Sequence, residues 1–163
     1  MGSSQQGIAF RSVYNNKWIS LVTGYSNDVK YQRYEACKDT PDAFCMFFMN
    51  PAMGMFIDVE GNWIMQGLDD STQLIPFRSA QPVGTNIVDR ARFSFTKNAL
   101  GQGDQVSIVT LDGHLAWAVD DNGTNQGVLS LATPYTLDYV GDEINGKLTF
   151  EFWDSAASPW PPA

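Results

Sequence analysis

FRSVYNNKWISL (10–21), MFIDVEGNWIMQ (55–66) and SIVTLDGHLAWA (107–118) are one phrase written three times. Each copy is an apolar strand, a tight polar turn and a second apolar strand. Each is followed further along by a second phrase: AFCMFFMN (43–50), RARFSFTK (90–97) and KLTFEFWD (147–154). Self-similarity at a long, regular period means that equivalent units are joined into one body, each burying its apolar face against the others.

Alternation of apolar and polar residues marks half-buried strands, and clusters of Gly, Asn and Asp mark the turns between them. These signals predict twelve strands in three sets of four. The first set covers 7–13, 18–23, 30–36 and 44–50; the second 55–60, 63–67, 74–79 and 91–97; the third 105–111, 114–119, 128–133 and 147–154. No stretch carries a sustained helical period with caps.

Aligning the sets gives columns. Phe10, Phe56 and Ile108 share a position on the first strands, and Trp18, Trp63 and Leu115 share one on the second. On the fourth strands the inward columns read Phe44, Ala91, Leu148; then Met46, Phe93, Phe150; then Phe48, Phe95, Phe152. Alternate strand residues face one side, so these columns describe one core with three equivalent contributors. The expected architecture is all-β, a single domain over 1–163, with repeats at about 7–53, 54–103 and 104–154 and a tail at 155–163. Extra loop in the third repeat falls mainly at 134–146.

Three four-stranded repeats with a hairpin between the first two strands of each resemble a β-trefoil. The opening pattern, apolar–Arg–Ser–x–x–Asn–x–Lys–Trp–Ile at 10–19, is similar to the fascin-type and amaranthin-type repeats. The resemblance covers about 7–154. It implies a pseudo-threefold barrel of six strands capped by three hairpins, a closure that removes open sheet edges. It also implies a lectin-like binding role. The Gln-x-Trp signature of ricin-type repeats is absent from all three units.

Composition narrows the function classes. The apolar fraction of 44% and charged fraction of 17% describe a globular chain. The net charge of −8 and only 10 scattered Lys and Arg residues exclude a nucleic-acid stripe. No apolar run reaches the length of a membrane-spanning helix. The N-terminal MGSSQQG has neither the basic nor the apolar part of a secretory signal, so the expectation is a cytoplasmic protein or one whose leader has been removed. Asn122-Gly123-Thr124 is a glycosylation sequon, relevant only to an exported chain. Cys37 and Cys45 are either two free thiols or a staple across one hairpin.

Catalytic constellations are thin. The single histidine, His114, sits in a turn without a converging nucleophile. The neighbouring acids Asp69 and Asp70, Asp120 and Asp121, and Asp142 and Glu143 read as solvated turn residues rather than a glycosidase pair. DDNGTN lacks the bidentate Glu of a calcium loop. No enzyme activity, metal or cofactor is therefore expected.

The polar loops after each second strand are the candidate binding elements: TGYSNDVK, GLDDSTQ and VDDNGTNQG. Carboxylates and amides hold paired sugar hydroxyls, and an aromatic face covers the ring. The candidate ligand-binding residues are Tyr25, Asn27, Asp28, Asp69, Asp70, Asp120, Asp121, Asn122, Asn125 and Tyr139. The same residue types also favour turns for their own sake. Because Phe44, Met46 and Phe48 are placed inward, Phe47 is expected to point outward. With Met49 and Trp153 it would form an apolar patch covered by the tail carrying Trp160, or by a second subunit of a homodimer.

The leading expectation is a non-catalytic lectin that binds glycans or glycoproteins. The alternative is an inhibitor that presents one loop, 134–146 or 37–45, to a hydrolase. A cytoskeletal binder ranks last, because a chain of charge −8 is poorly matched to an acidic filament.

Overall fold

The computed structural model describes residues 6–50, 54–67, 73–78, 89–97, 105–120, 127–132 and 147–154. Within them lie twelve strands: β1 (Gln6–Ser12), β2 (Trp18–Ser26), β3 (Val29–Lys38), β4 (Phe47–Asn50), β5 (Met55–Ile57), β6 (Trp63–Gln66), β7 (Leu74–Phe77), β8 (Phe93–Lys97), β9 (Gln105–Thr110), β10 (Ala116–Val119), β11 (Leu129–Ala132) and β12 (Phe150–Asp154). Each of the twelve overlaps its expected segment, and all pairing is antiparallel.

Six strands form the barrel. β1 pairs with β12 on one side and β4 on the other, β4 pairs with β5, and β9 pairs with β8 and β12. The ring closes between β5 and β8 through the Met55↔Arg92 bridge and a 2.9 Å bond in which the Phe93 N–H donates to the Gly54 carbonyl. Gly54 sits at φ +70, and a Cβ there would lie 2.4 Å from the Phe93 carbonyl oxygen. Only glycine tolerates both demands, so this residue permits closure. The remaining strands form three hairpins, β2–β3, β6–β7 and β10–β11. Their third strands meet through the Glu35↔Val128 and Gln73↔Ser130 bridges.

The three turns leading into the hairpins are equivalent. In each, a buried polar group stands at the end of the first strand or just after it: Ser12, Asp58 or Thr110. Its N–H donates across the turn to the carbonyl of Lys17, Asn62 or Leu115. A left-handed residue follows in each: Asn16, Gly61 and Gly113.

The core is shared as expected at its centre, where Phe10, Phe56 and Ile108 are all buried. The fourth-strand columns differ from expectation by one residue in the first repeat. The buried sets are Cys45, Ala91, Leu148 and Phe47, Phe93, Phe150. Met49 and Phe152 pack partly buried against the core, and Phe95, in their column, stacks edge-on with Phe152 at 5.4 Å. The cause is a 3-10 turn at Ala43–Cys45, capped by the Asp42 carboxylate, which accepts from the Phe44 N–H. That turn consumes the residues read as the start of a strand, and alternation begins only at Phe47. Phe47 is 0% exposed whereas Phe44 is 44% exposed. The expected outward patch is therefore corrected: Phe47 is core, and Trp153 packs against Ala9, Trp18 and Cys45. Trp160 lies outside the described residues. In the second-strand column Ala116 replaces Leu115, because the third turn carries one more residue between its left-handed glycine and the strand than the second does.

One polar tie joins the first repeat to the second. The buried Tyr34 hydroxyl donates to Asp58 Oδ2 at 3.0 Å, and the same carboxylate accepts from the Glu60 N–H, the Asn62 N–H and the Asn62 side-chain amide. Burial, and then the Asp58 charge, hold the Tyr34 phenol well above its ordinary pKa.

Two predictions follow from this packing. In urea unfolding, Phe47→Ala should cost about 3–5 kcal/mol, while Phe44→Ala should stay within about 0.5 kcal/mol of the parent; the reverse order would restore the expected register. The raised Tyr34 pKa makes its contribution complete below about pH 10 and lost as pH rises through the folded value. Melting temperatures should therefore fall more steeply above about pH 10 in the parent than in Tyr34→Phe, with the variant about 1–2 kcal/mol weaker near neutral pH. Parallel curves would contradict the buried phenol.

Candidate functional site

The first candidate loop is a hairpin rather than a loop. β2 and β3 stay paired out to Ser26↔Val29, leaving only Asn27 and Asp28 at the tip, with φ of 51° and 64°. Two left-handed residues in a two-residue turn match the twist of the flanking strands, and Asn and Asp tolerate that backbone best after glycine. The backbone thus accounts for both residue types. Tyr25 stands 71% exposed beside the tip. The ladder of this hairpin has nine residue pairs; among the described residues β6–β7 and β10–β11 show four each.

Of the other candidates, Asp120 is described and is partly buried. Its N–H donates to the Val128 carbonyl, and its own carbonyl accepts from Gly127. Asp69, Asp70, Asp121, Asn122, Asn125 and Tyr139 lie outside the described residues, as does the 134–146 loop.

Asp120 borders a groove of about 430 Å³ at the meeting point of the three hairpins. β3 supplies Tyr31, Gln32 and Arg33; β7 and the residue before it supply Gln73, Leu74 and Ile75; β11 and the residue before it supply Val128, Leu129, Ser130 and Leu131. Equivalent strands of all three repeats line it, so it lies on the pseudo-threefold axis. Leu74, Leu129 and Leu131 are buried core residues and form an apolar floor. Gln32, Arg33, Gln73, Asp120 and Ser130 bring amide, guanidinium, carboxylate and hydroxyl groups to the walls. Tyr25, Asn27 and Asp28 are not part of the lining.

Tyr31 is the aromatic wall and is 38% exposed. Its ring lies across from Gly24, its cross-strand partner; a Cβ at Gly24 would fall 2.4 Å from the ring. The absent side chain lets the ring lie close over β2. The Arg33 guanidinium stands 5.2 Å from the Tyr31 centroid, and its Nε donates to Glu35 Oε2 at 2.7 Å. Ring, cation and carboxylate hold one another on an otherwise exposed ribbon.

Of the residues lining the groove, the sequence-based candidates include Asp120 and not Tyr31, Gln32, Arg33, Gln73 or Ser130. Of the latter, all but Gln73 sit on the third strands, whereas the candidates lie in the loops before them. The available signal was the closure itself: a threefold cap places its third strands together at the axis.

Among the described residues the other titratable groups form no comparable cluster. His114 is exposed in its turn, and its N–H donates to Asp112 Oδ1 at 2.9 Å. That bond, with the Thr110 hydroxyl, lowers the Asp112 pKa. Both cysteines are free; Cys37 is exposed, and burial pushes the Cys45 thiol up to about 11. Among the described residues no group of three or more His, Cys, Asp or Glu is placed to hold a metal, and no helix is long and apolar enough to cross a membrane.

No family model matches the sequence, and no curated protein matches it. Solved structures do match the fold. A designed threefold-symmetric protein, ThreeFoil, superposes with a TM-score of 0.62 at 10% identity, covering 93% of this chain and 99% of that one. The BEL β-trefoil in an apo crystal form gives 0.60 at 10% identity, covering 91% and 92%. A proteinase inhibitor from Coprinopsis cinerea gives 0.56 at 8% identity, covering 93% and 98%. At these identities the likeness speaks for architecture alone. The chain has the β-trefoil fold.

Proposed function

We propose that the protein is a carbohydrate-binding β-trefoil without catalytic activity, and that the axial groove receives the sugar. The observation that carries this reading is the gathering of Tyr31, Gln32, Gln73, Asp120 and Ser130 around one groove that Leu74, Leu129 and Leu131 also line. A pyranose presents adjacent hydroxyls that both donate and accept, together with an apolar ring face. Amides and a carboxylate answer the first, and a tyrosine ring answers the second. The groove is shallow and partly open, so one site should bind with a Kd of roughly 0.1–1 mM, equivalent to about −4 to −5.5 kcal/mol. Asp120 supports the site as an acceptor rather than as an acid, since the groove offers no second carboxylate across from it among the described residues.

A second reading has its own observation. The first hairpin runs nine residue pairs to its tip, and it carries Tyr25 and Val29 at 71% and 67% exposure. A ribbon with exposed apolar side chains beside its polar tip suits a protein partner better than a sugar, and the inhibitor from Coprinopsis cinerea shares this fold. In this reading the inserting element is β2–β3 rather than the 134–146 or 37–45 loops.

A glycan array, followed by calorimetry on the best ligand, separates the two. The sugar reading expects selective binding, weakened about tenfold or more by Asp120→Asn and by Gly24→Val, which displaces the Tyr31 ring, and left within about twofold by Tyr25→Ser. A flat array, or dependence on Tyr25 alone, would overturn it.

A further inference from the structure

The axial groove has a neighbour. A second depression of about 410 Å³ runs along the outer side of the first hairpin, between β3 and β7. Tyr31, Gln32 and Ile75 line both depressions, so one wall divides them and a ligand longer than a single ring would meet both. The two differ in charge. The axial groove holds Arg33, already joined to Glu35, and Asp120. The side groove holds Lys30 and Arg78 and, among the described residues, no carboxylate lines it.

Both cations are available. Lys30 is exposed and makes no ion pair among the described residues. Arg78 is 71% exposed and is held only loosely, 3.7 Å from Glu60. The same Glu60 carboxylate accepts from the Gln32 amide at 2.9 Å, which divides its attention. Counting Glu60, the local balance is one net positive charge on a chain whose total is −8. The distant acids do not cancel it, since charges further than about 8 Å are screened at about 0.15 M salt. An anion would thus meet two cations here on a chain whose net charge is −8.

Resting on the sugar reading, we infer that the ligand is an acidic glycan: its neutral ring lies in the axial groove, and its carboxylate or sulfate lies in the side groove between Lys30 and Arg78. Charge-assisted hydrogen bonds from the ammonium and the guanidinium would hold the anionic group. Gln32, on the shared wall, would contact the linkage between the two parts. The two anions share one chemistry, and the choice between them follows from which binds more tightly.

The test uses the full chain and one oligosaccharide in three forms: neutral, uronic acid and sulfate ester. Binding is measured by calorimetry for the parent and for a Lys30→Gln, Arg78→Gln double variant at low and moderate salt. The parent should prefer at least one acidic form over the neutral one by about tenfold, and that preference should shrink as salt rises. The double variant should lose the preference yet bind the neutral form within about twofold of the parent. Equal binding of all three forms by the parent, or an unchanged preference in the double variant, would remove the acidic subsite and leave the sugar reading standing. Failure of every form to bind would remove the sugar reading and the subsite with it.

Discussion

Phe10 is the residue on which the three repeats converge. Its ring lies 6.3 Å from Phe47, 6.0 Å from Phe56 and Phe95, 5.7 Å from Trp117 and 5.9 Å from Phe152, all tilted or edge-on. These partners come from every repeat. No repeat can bury its apolar face without the other two, because each supplies only a third of the wall. Edge-on rings at such distances add about 0.5–1.5 kcal/mol per pair to the gain from burial. One cost sits among them: the Trp117 indole N–H is buried without an acceptor among the described residues, worth about 1–3 kcal/mol. The stacking of Trp117 on Phe10, Phe56 and Phe93 offsets it.

This shared interior explains why the hairpins are free to differ. The barrel is fixed by columns that must interdigitate, and by Gly54 at the seam, where any side chain would strike the neighbouring backbone. The hairpins need only their lower rungs: Ile19, Ile64 and Trp117, with Tyr34, Leu74 and Leu129, all buried in the core. Beyond those rungs the first hairpin runs on to Ser26↔Val29, and the three repeats bring different side chains to the axial groove. Tyr31, Arg33 and Glu35 come from the long ribbon, and amide, hydroxyl and carboxylate groups come from the other two repeats. A pseudo-threefold body thereby presents one groove with a different set of side chains from each repeat.

The sequence made the fold legible because the barrel demands regular alternation from every repeat. Phe10, Phe56 and Ile108 fell into register at once. The register failed where local chemistry overrode alternation. Asp42 caps a 3-10 turn over Ala43–Cys45, and in AFCMFFMN nothing in the apolar pattern distinguishes Phe44 from Phe47. The short polar side chain two residues before Phe44 was the only sign. The site was less legible for a different reason. Turn residues advertise themselves by type, so Asn27 and Asp28 drew a functional reading that the primed turn explains without a ligand. Tyr31 and Gln32 look like ordinary strand residues, and Gln73 like a loop residue, until closure sets them side by side. Their juxtaposition depends on contacts far apart in the chain, which no local pattern encodes.

Native-state hydrogen exchange on the Ser12, Asp58 and Thr110 amides tests the common interior most directly. These are equivalent positions, one per repeat, each bonded across the same turn. If the three repeats stand or fall together, the three amides should exchange through global unfolding with opening free energies within about 1 kcal/mol of one another and of the unfolding free energy itself. An Asp58 amide that opened several kcal/mol more easily than the other two would show a separable second repeat, and would contradict a core held jointly by all three.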